Sequence, residues 1–104
     1  MAGNRIDILR SLVTQNPTDS RTRYMLAMEL ANSGELEAAV AEYESILKAD
    51  ADYAAAYYHG GQALEKLGRE DDAGALYRRG IEACERTGND HTRSELQEAL
   101  DALG

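Results

Sequence analysis

The amino-acid sequence repeats itself with a 34-residue period. Among the pairs that a shift of one period aligns are Tyr24 with Tyr58, Leu30 with Leu64, Gly34 with Gly68, Ala39 with Ala73, Tyr43 with Tyr77, and Leu47 with Ile81. A fixed period of this length is typical of small structural units that bury their apolar faces by stacking on one another. The sequence therefore predicts a repeat architecture.

Each unit contains two segments with helical spacing, separated by a glycine. Gly34 and Gly68 stand where a left-handed residue ends a helix, a conformation that glycine adopts without a Cβ clash. Thr18 or Asp19 is a candidate N-cap for the second helix, and Asp50 or Asp52 for the fourth. The sequence predicts six helices and no strand, with the helices near residues 4–15, 20–33, 36–49, 53–67, 70–87 and 91–103.

The 34-residue register extends backwards from the two full units but not forwards. Leu9 and Val13 align with Tyr43 and Leu47, which makes the first residues resemble the second helix of an incomplete unit. Past Gly88 no comparable register is found, and the last helix is interpreted as a cap. We expect one domain over residues 1–104, with a half repeat at 4–17, full repeats at 20–53 and 54–87, and a capping helix at 90–104.

The composition narrows the partner classes. Nineteen acidic and eleven basic residues give a net charge of −8, which repels nucleic-acid phosphates and anionic lipid headgroups. No apolar run approaches the length of about 20 residues that spans a bilayer, and the N-terminus lacks the order of a secretory signal. We therefore expect a soluble, cytoplasmic protein that binds neither nucleic acid nor membrane. The single Cys84 is expected to be a reduced packing residue.

Small residues mark the faces on which the predicted helices meet. The second helix places Leu26, Ala27 and Leu30 on one face together with Arg23, and the fourth repeats that face as Tyr57, Gly60, Gly61 and Leu64. Small side chains at such positions allow two helix axes to approach closely. Bulky replacements there should force the helices apart.

The two full units resemble the tetratricopeptide repeat family. The matching stretches are YMLAMELANSGELEAAVAEYESIL and YHGGQALEKLGREDDAGALYRRGI. The chain departs from the family pattern at Arg23, where an aromatic residue is usual, and at Ile46, where a small one is usual. The resemblance implies an all-α fold of antiparallel helix-turn-helix repeats, which form a short right-handed α-solenoid of about six helices. It also implies a concave groove that binds peptides or partner helices, with no cofactor and no catalysis.

The groove implied by the resemblance would be lined by the sides of the second and fourth helices that face away from their core sides. Tyr and Met side chains there offer adaptable apolar contacts, and cations and amides could hold a peptide backbone or carboxylate. Alternatively, Tyr24 and Tyr58 only pack between helices. The candidate groove residues are Arg21, Tyr24, Met25, Met28 and Asn32 on the second helix, and Ala55, Tyr58, His59, Gln62 and Lys66 on the fourth.

Some members of the family clamp the acidic C-terminal tails of chaperones with Lys, Asn and Arg side chains in this groove. The corresponding positions here hold Tyr24, Met28 and His59, which lack those groups, so that partner class is not expected.

Catalytic and metal sites are not expected. His59 and His91 lie far apart in the sequence without a neighbouring ligand pair, and no nucleophile motif or phosphate-binding loop occurs. We expect a protein- or peptide-binding scaffold that is not an enzyme and needs no cofactor. The alternative is an assembly protein that forms a homodimer through its terminal helices. For that role the candidate surfaces are the outer face of the incomplete first repeat and the last-helix stripe of Leu96, Ala99, Leu100 and Leu103.

Overall fold

The computed structural model describes the backbone of residues 2–104 and the side chains from Arg5 onward. Within that range all regular structure is helical, and each end of the six predicted helices is found within two residues of its expected position. The helices are α1 Ala2–Gln15, α2 Ser20–Asn32, α3 Leu36–Ala49, α4 Ala54–Lys66, α5 Glu70–Thr87 and α6 Asp90–Ala102.

The helices pack as antiparallel neighbours in two layers. Helix α2 pairs with α3 and α4 with α5, while α1 lies against α2, and α6 lies against α5. Contacts of α4 with both α2 and α6 bring these three helices into one layer. The other layer contains α1, α3 and α5. The result is the stacked arrangement of helical hairpins that the 34-residue period predicts.

Backbone geometry and caps explain where the helices end. Gly34, Gly68 and Gly88 have φ values of 88°, 78° and 74°, so each takes the left-handed conformation expected after a helix. The Asp19 carboxylate accepts a hydrogen bond from the Thr22 backbone N–H at 3.3 Å, which confirms one of the two candidate caps of α2.

The predicted cap of α4 is wrong. The N-cap residue is Tyr53, which makes no side-chain capping bond, rather than Asp50 or Asp52. The Asp50 carboxylate instead accepts a hydrogen bond from the Asp52 backbone N–H at 3.1 Å. This local turn ends before α4 begins and therefore leaves both acidic side chains outside the capping position.

The core runs through all six helices, and its largest members come from the second helix of each hairpin. Tyr43 and Tyr77 are fully buried at equivalent repeat positions, and Cys84 is buried as a packing residue. Gly61 lies directly beneath the Tyr77 ring, because a Cβ built on this glycine would stand only 2.1 Å from Tyr77 Cε1. The predicted close approach of α4 and α5 therefore depends on the missing side chain.

The two hairpins use different side chains to make the same bond. In the second repeat the Tyr57 hydroxyl donates to the Ala51 carbonyl at 2.6 Å. At the equivalent position Arg23 donates to the Pro17 carbonyl at 3.3 Å, and it also forms an ion pair with Glu42 at 2.6 Å. Arg23 is partly buried. Through these two bonds it connects α2 to the preceding turn and to α3, in place of the aromatic residue that is usual at this position.

Candidate functional site

A cluster of aromatic rings lies between α2 and α4, on the side where the groove was expected. The Tyr24 ring centroid is 5.8 Å from that of His59 and 5.5 Å from that of Tyr53. His59 in turn meets Tyr58 edge to face at 5.2 Å. Such ring pairs are favourable at these separations. Because all four rings stay partly exposed, they form a continuous aromatic surface across the two helices.

A small cavity of about 80 Å³ opens beside the ring cluster. Its volume is a few times the space that one water molecule occupies in the liquid, about 30 Å³, and is comparable to a small apolar side chain. Five of the predicted groove residues lie in its wall. The full lining is Met28, Ala31, Asn32, Leu36, Tyr43, His59, Gln62, Ala63 and Lys66.

Two buried tyrosines support the groove from below. The Tyr43 hydroxyl donates to Met28 Sδ at 3.1 Å. At the equivalent positions of the next repeat, the Gln62 amide donates to the Tyr77 hydroxyl at 2.9 Å, and that hydroxyl donates in turn to the Glu65 carboxylate. Each hairpin therefore fixes one groove side chain through a tyrosine on its second helix.

The cavity wall carries little charge at neutral pH. Burial lowers the pKa of His59, so its imidazole is neutral there. Burial is also the main reason that the pKa of Tyr43 is raised well above its ordinary value. The positive charge in the cavity lining comes from Lys66, whose side chain is exposed. An apolar side chain could therefore enter the cavity while this cation meets a polar group outside it.

Seven of the predicted site residues lie in the ring cluster or in the cavity wall, and three lie in neither. Tyr24, Tyr58 and His59 meet in the ring cluster, and His59 also lines the cavity together with Met28, Asn32, Gln62 and Lys66. The remaining candidates are Arg21, Met25 and Ala55, which do not line the cavity.

Tyr24 also has the packing role that is the alternative to a binding role. Its ring contacts Tyr43 on α3, Tyr53 before α4 and His59 on α4, while the side chain remains partly exposed. Packing between helices and a place in the groove are therefore compatible for this residue.

Sequence reasoning missed Tyr53 and the supporting role of the buried tyrosines. The sequence predicts Tyr53 as the first residue of the fourth helix and not as a groove residue; in the structure it is the N-cap of α4, and its ring meets that of Tyr24. For Tyr43 and Tyr77 a signal existed. Met28 precedes Tyr43 by the same interval at which Gln62 precedes Tyr77, so the repeat register pairs the two bonds.

From Arg5 onward, no three His, Cys, Asp or Glu side chains are grouped so that they could hold a metal ion. Across α1 to α6, no helix has the length and apolar character needed to cross a membrane.

Several solved structures have the same fold. A tetratricopeptide repeat domain protein from Salinibacter ruber, solved by NMR, is 39% identical over 85% of this chain and 89% of that one, with a TM-score of 0.79. PcrH in complex with the chaperone binding region of PopD is 16% identical over 98% and 77%, with a TM-score of 0.89. YrrB, described as a TPR protein with an unusual peptide-binding site, is 20% identical over 93% and 48%, with a TM-score of 0.80.

Sequence comparisons give the family directly. No curated protein matches the chain significantly. The tetratricopeptide repeat profile, in contrast, matches residues 1–84, which is most of the chain. Together with the six-helix stack and the 39% identical repeat protein, this match shows that the chain belongs to the tetratricopeptide repeat family.

Proposed function

We propose that this protein is a non-enzymatic scaffold, located in the cytoplasm, that binds a peptide segment of another protein in the groove between α2 and α4. The full repeats at 20–53 and 54–87 would form the groove, and the helix at 90–104 would close the stack. The observation that carries the proposal is the aromatic surface beside the small cavity, with five predicted groove residues in the cavity wall.

The chemistry of the groove favours a peptide with an apolar anchor. Fully burying one Val or Leu side chain contributes about 1.5–3 kcal/mol, and a cavity of about 80 Å³ with Met28 and Tyr43 in its wall suits a side chain of this kind. The aromatic surface offers flat contacts to the flanking peptide. Asn32 and Lys66 at the cavity can bond backbone carbonyls or a carboxylate, which fixes the orientation of the peptide.

Two of the similar structures support a peptide ligand. PcrH is described in complex with a binding region of PopD, and YrrB is described as having a peptide-binding site. Both are too distant in sequence to transfer a specific ligand. They support a peptide as the kind of ligand, while the side chains of this groove would determine which peptide sequences bind.

The proposal is tested by filling the cavity mouth with a bulky side chain. Asn32 is exposed and lines the cavity, so Asn32→Trp should block an anchor without disturbing the core. Ser45→Trp, at another exposed helical position, on α3, is the matched control. Peptides are first selected from a random phage-displayed library on the wild-type protein, and their Kd is then measured by isothermal titration calorimetry.

We expect selected peptides to share an apolar position and to bind Asn32→Trp at least about tenfold more weakly, while Ser45→Trp binds as wild type does. A tenfold change corresponds to about 1.4 kcal/mol, less than the burial of one anchor side chain. Equal binding to wild type and Asn32→Trp, with both proteins folded, would show that the peptides bind elsewhere.

A further inference from the structure

The cavity between α2 and α4 has an equivalent place between α4 and α6. The three helices lie in one layer, and α4 contacts both of the others. A buried tyrosine lies beneath each place, Tyr43 for the first and Tyr77 for the second, at equivalent positions of the repeat. Tyr43 bonds to Met28, and Tyr77 bonds to Gln62, which follows Met28 by one period. A peptide that extends along the groove therefore passes from the first place to the second.

The capping residues show which side chains of α6 belong to this second place. Asp19, Tyr53 and Asn89 are the N-caps of α2, α4 and α6, so α6 begins two residues later than the strict period predicts. Counted from the caps, Glu95 on α6 stands where His59 stands on α4. Burial lowers the pKa of His59, and the negative charge of Glu95 partly offsets this effect. Glu95 therefore lies close enough to act on the ring cluster.

Equivalent side chains change from uncharged in the first place to acidic in the second. The cavity wall includes Ala31 and the neutral His59. One period after Ala31 stands Glu65, and Glu95 takes the place of His59. Glu98 lies three residues beyond Glu95, on the same side of α6. We call Glu65, Glu95 and Glu98 the acidic groove position.

No cationic side chain neutralises the acidic groove position. Within the chain described from Arg5 onward, none of its carboxylates has a Lys or Arg nitrogen within 4.0 Å, and Glu95 has the His91 imidazole at 3.8 Å. Arg93 of α6 instead pairs with Glu85 of α5 at 3.3 Å. Glu95 and Glu98 also have the spacing at which like charges on a helix repel each other. A bound cation would relieve this repulsion.

Charge complementarity defines the peptide that fits both places. An apolar side chain suits the cavity, and a Lys or Arg side chain suits the acidic groove position. The net charge of −8 also attracts a basic segment from a distance. Packed helices lie about 8–10 Å apart and an extended chain advances about 3.3–3.6 Å per residue, so the two side chains are about two to three residues apart.

We propose that the peptide bound in the groove carries a Lys or Arg residue about two to three positions from its apolar anchor, and that Glu65, Glu95 and Glu98 select this residue. The inference rests on the proposed function, because it names the chemistry of the peptide that the groove binds. Its test therefore starts from peptides that are selected on the wild-type protein and weakened by Asn32→Trp, since these bind at the cavity.

The sequences of these cavity-binding peptides give the first result. We expect Lys or Arg at the stated distance from the apolar position more often than in the unselected library. Cavity-binding peptides without this enrichment would overturn the inference and leave the proposed function standing. A library that yields no peptide sensitive to Asn32→Trp would contradict the proposed function and this inference together.

The double variant Glu95→Gln, Glu98→Gln tests the carboxylates themselves. Both side chains are exposed, so the fold should be retained, which far-UV circular dichroism checks. The matched control is Asp7→Asn, Glu82→Gln, which removes the same charge from exposed positions of α1 and α5 in the other layer. By isothermal titration calorimetry we expect the groove variant to bind a selected peptide at least about threefold more weakly, as the loss of two exposed ion pairs predicts. The control should bind as wild type does.

The peptide's own basic residue completes the comparison. Its replacement by Gln should weaken binding to wild type and abolish the difference between wild type and the groove variant. Raising the salt concentration from about 50 to about 500 mM should weaken wild-type binding more than binding to the groove variant, because salt screens exposed charges. Equal affinities of wild type and the groove variant, or an equal loss in the control, would show that these carboxylates do not select the peptide.

Discussion

Two glycine-to-alanine substitutions should change stability in opposite directions. Gly61 and Gly74 both lie inside helices and are both buried. At Gly74 a new methyl group would find its nearest atoms at 3.6–3.7 Å, the ends of the Arg78, Leu100 and Leu103 side chains, which is ordinary contact. Replacing a helical glycine by alanine favours the helix by about 1 kcal/mol, so Gly74→Ala should stabilise the protein by about 0.5–1 kcal/mol.

At Gly61 the same methyl group meets a rigid ring. Its Cβ would stand 2.1, 2.6 and 2.7 Å from three atoms of Tyr77, which is fully buried and bonded through its hydroxyl to Gln62 and Glu65. Overpacking of this kind costs about 1–3 kcal/mol, and displacing the hydroxyl threatens bonds of about 1 kcal/mol each. After the helical gain of about 1 kcal/mol is subtracted, Gly61→Ala should destabilise the protein by about 2 kcal/mol.

Urea and thermal unfolding, both followed by circular dichroism, measure the two effects. For a chain of 104 residues we expect the Tm of Gly61→Ala to fall by about 10 °C and that of Gly74→Ala to rise by a few degrees. The slope of the free energy of unfolding against urea should stay unchanged in both. A Gly61→Ala protein as stable as wild type would refute the claim that this glycine is required for the approach of α4 and α5.

Three further results are expected. Burial lowers the pKa of His59 in the folded protein, so the unfolded chain binds a proton at this imidazole more tightly. The stability that neutral His59 contributes is complete above its ordinary pKa of about 6.5 and is lost as the pH falls below it. His59→Phe should therefore flatten the decline of the urea midpoint between about pH 7 and pH 5. Burial also raises the pKa of the Cys84 thiol, and iodoacetamide should therefore alkylate it slowly at pH 8 in the native protein and rapidly in urea, whereas equal rates would show an exposed thiol. The Asn89 side chain caps α6 by accepting from the Thr92 N–H at 3.2 Å, so Asn89→Ala should lower the free energy of unfolding by about 1 kcal/mol in a urea titration, and an unchanged value would mean that this cap contributes nothing.

Helix positions could be predicted from the sequence because their signals are local. Gly34, Gly68 and Gly88 each take the left-handed conformation that ends a helix, and the 34-residue period repeats this signal from Gly34 to Gly68. The cap of α4 could not be predicted, because Asp50 closes a turn on the Asp52 N–H instead of reaching the helix. The Asp50 carboxylate could accept either from the N–H groups of the helix or from a nearby turn N–H, and neither composition nor residue spacing indicates which bond forms.

From the sequence, the candidate site could be predicted only as one side of α2 and one side of α4. Helical periodicity places Met28 and Asn32 on one side of α2, and His59 and Gln62 on one side of α4, and these four residues do meet at the cavity. The cavity is also lined by Tyr43, which lies on α3. The ring cluster also contains Tyr53, which lies before α4. Such contacts arise from the packing of the hairpins, so periodicity within one helix cannot reveal them.

The central claim is that a peptide binds between α2 and α4. A ¹⁵N-labelled sample titrated with a selected peptide and followed by two-dimensional NMR tests this most directly. We expect the largest amide shift changes at Tyr24, Met28, Asn32, His59 and Gln62, with outward-facing residues of α3 and α5 unaffected. Changes concentrated on those outer faces or on α1, with the groove amides unmoved, would contradict the account.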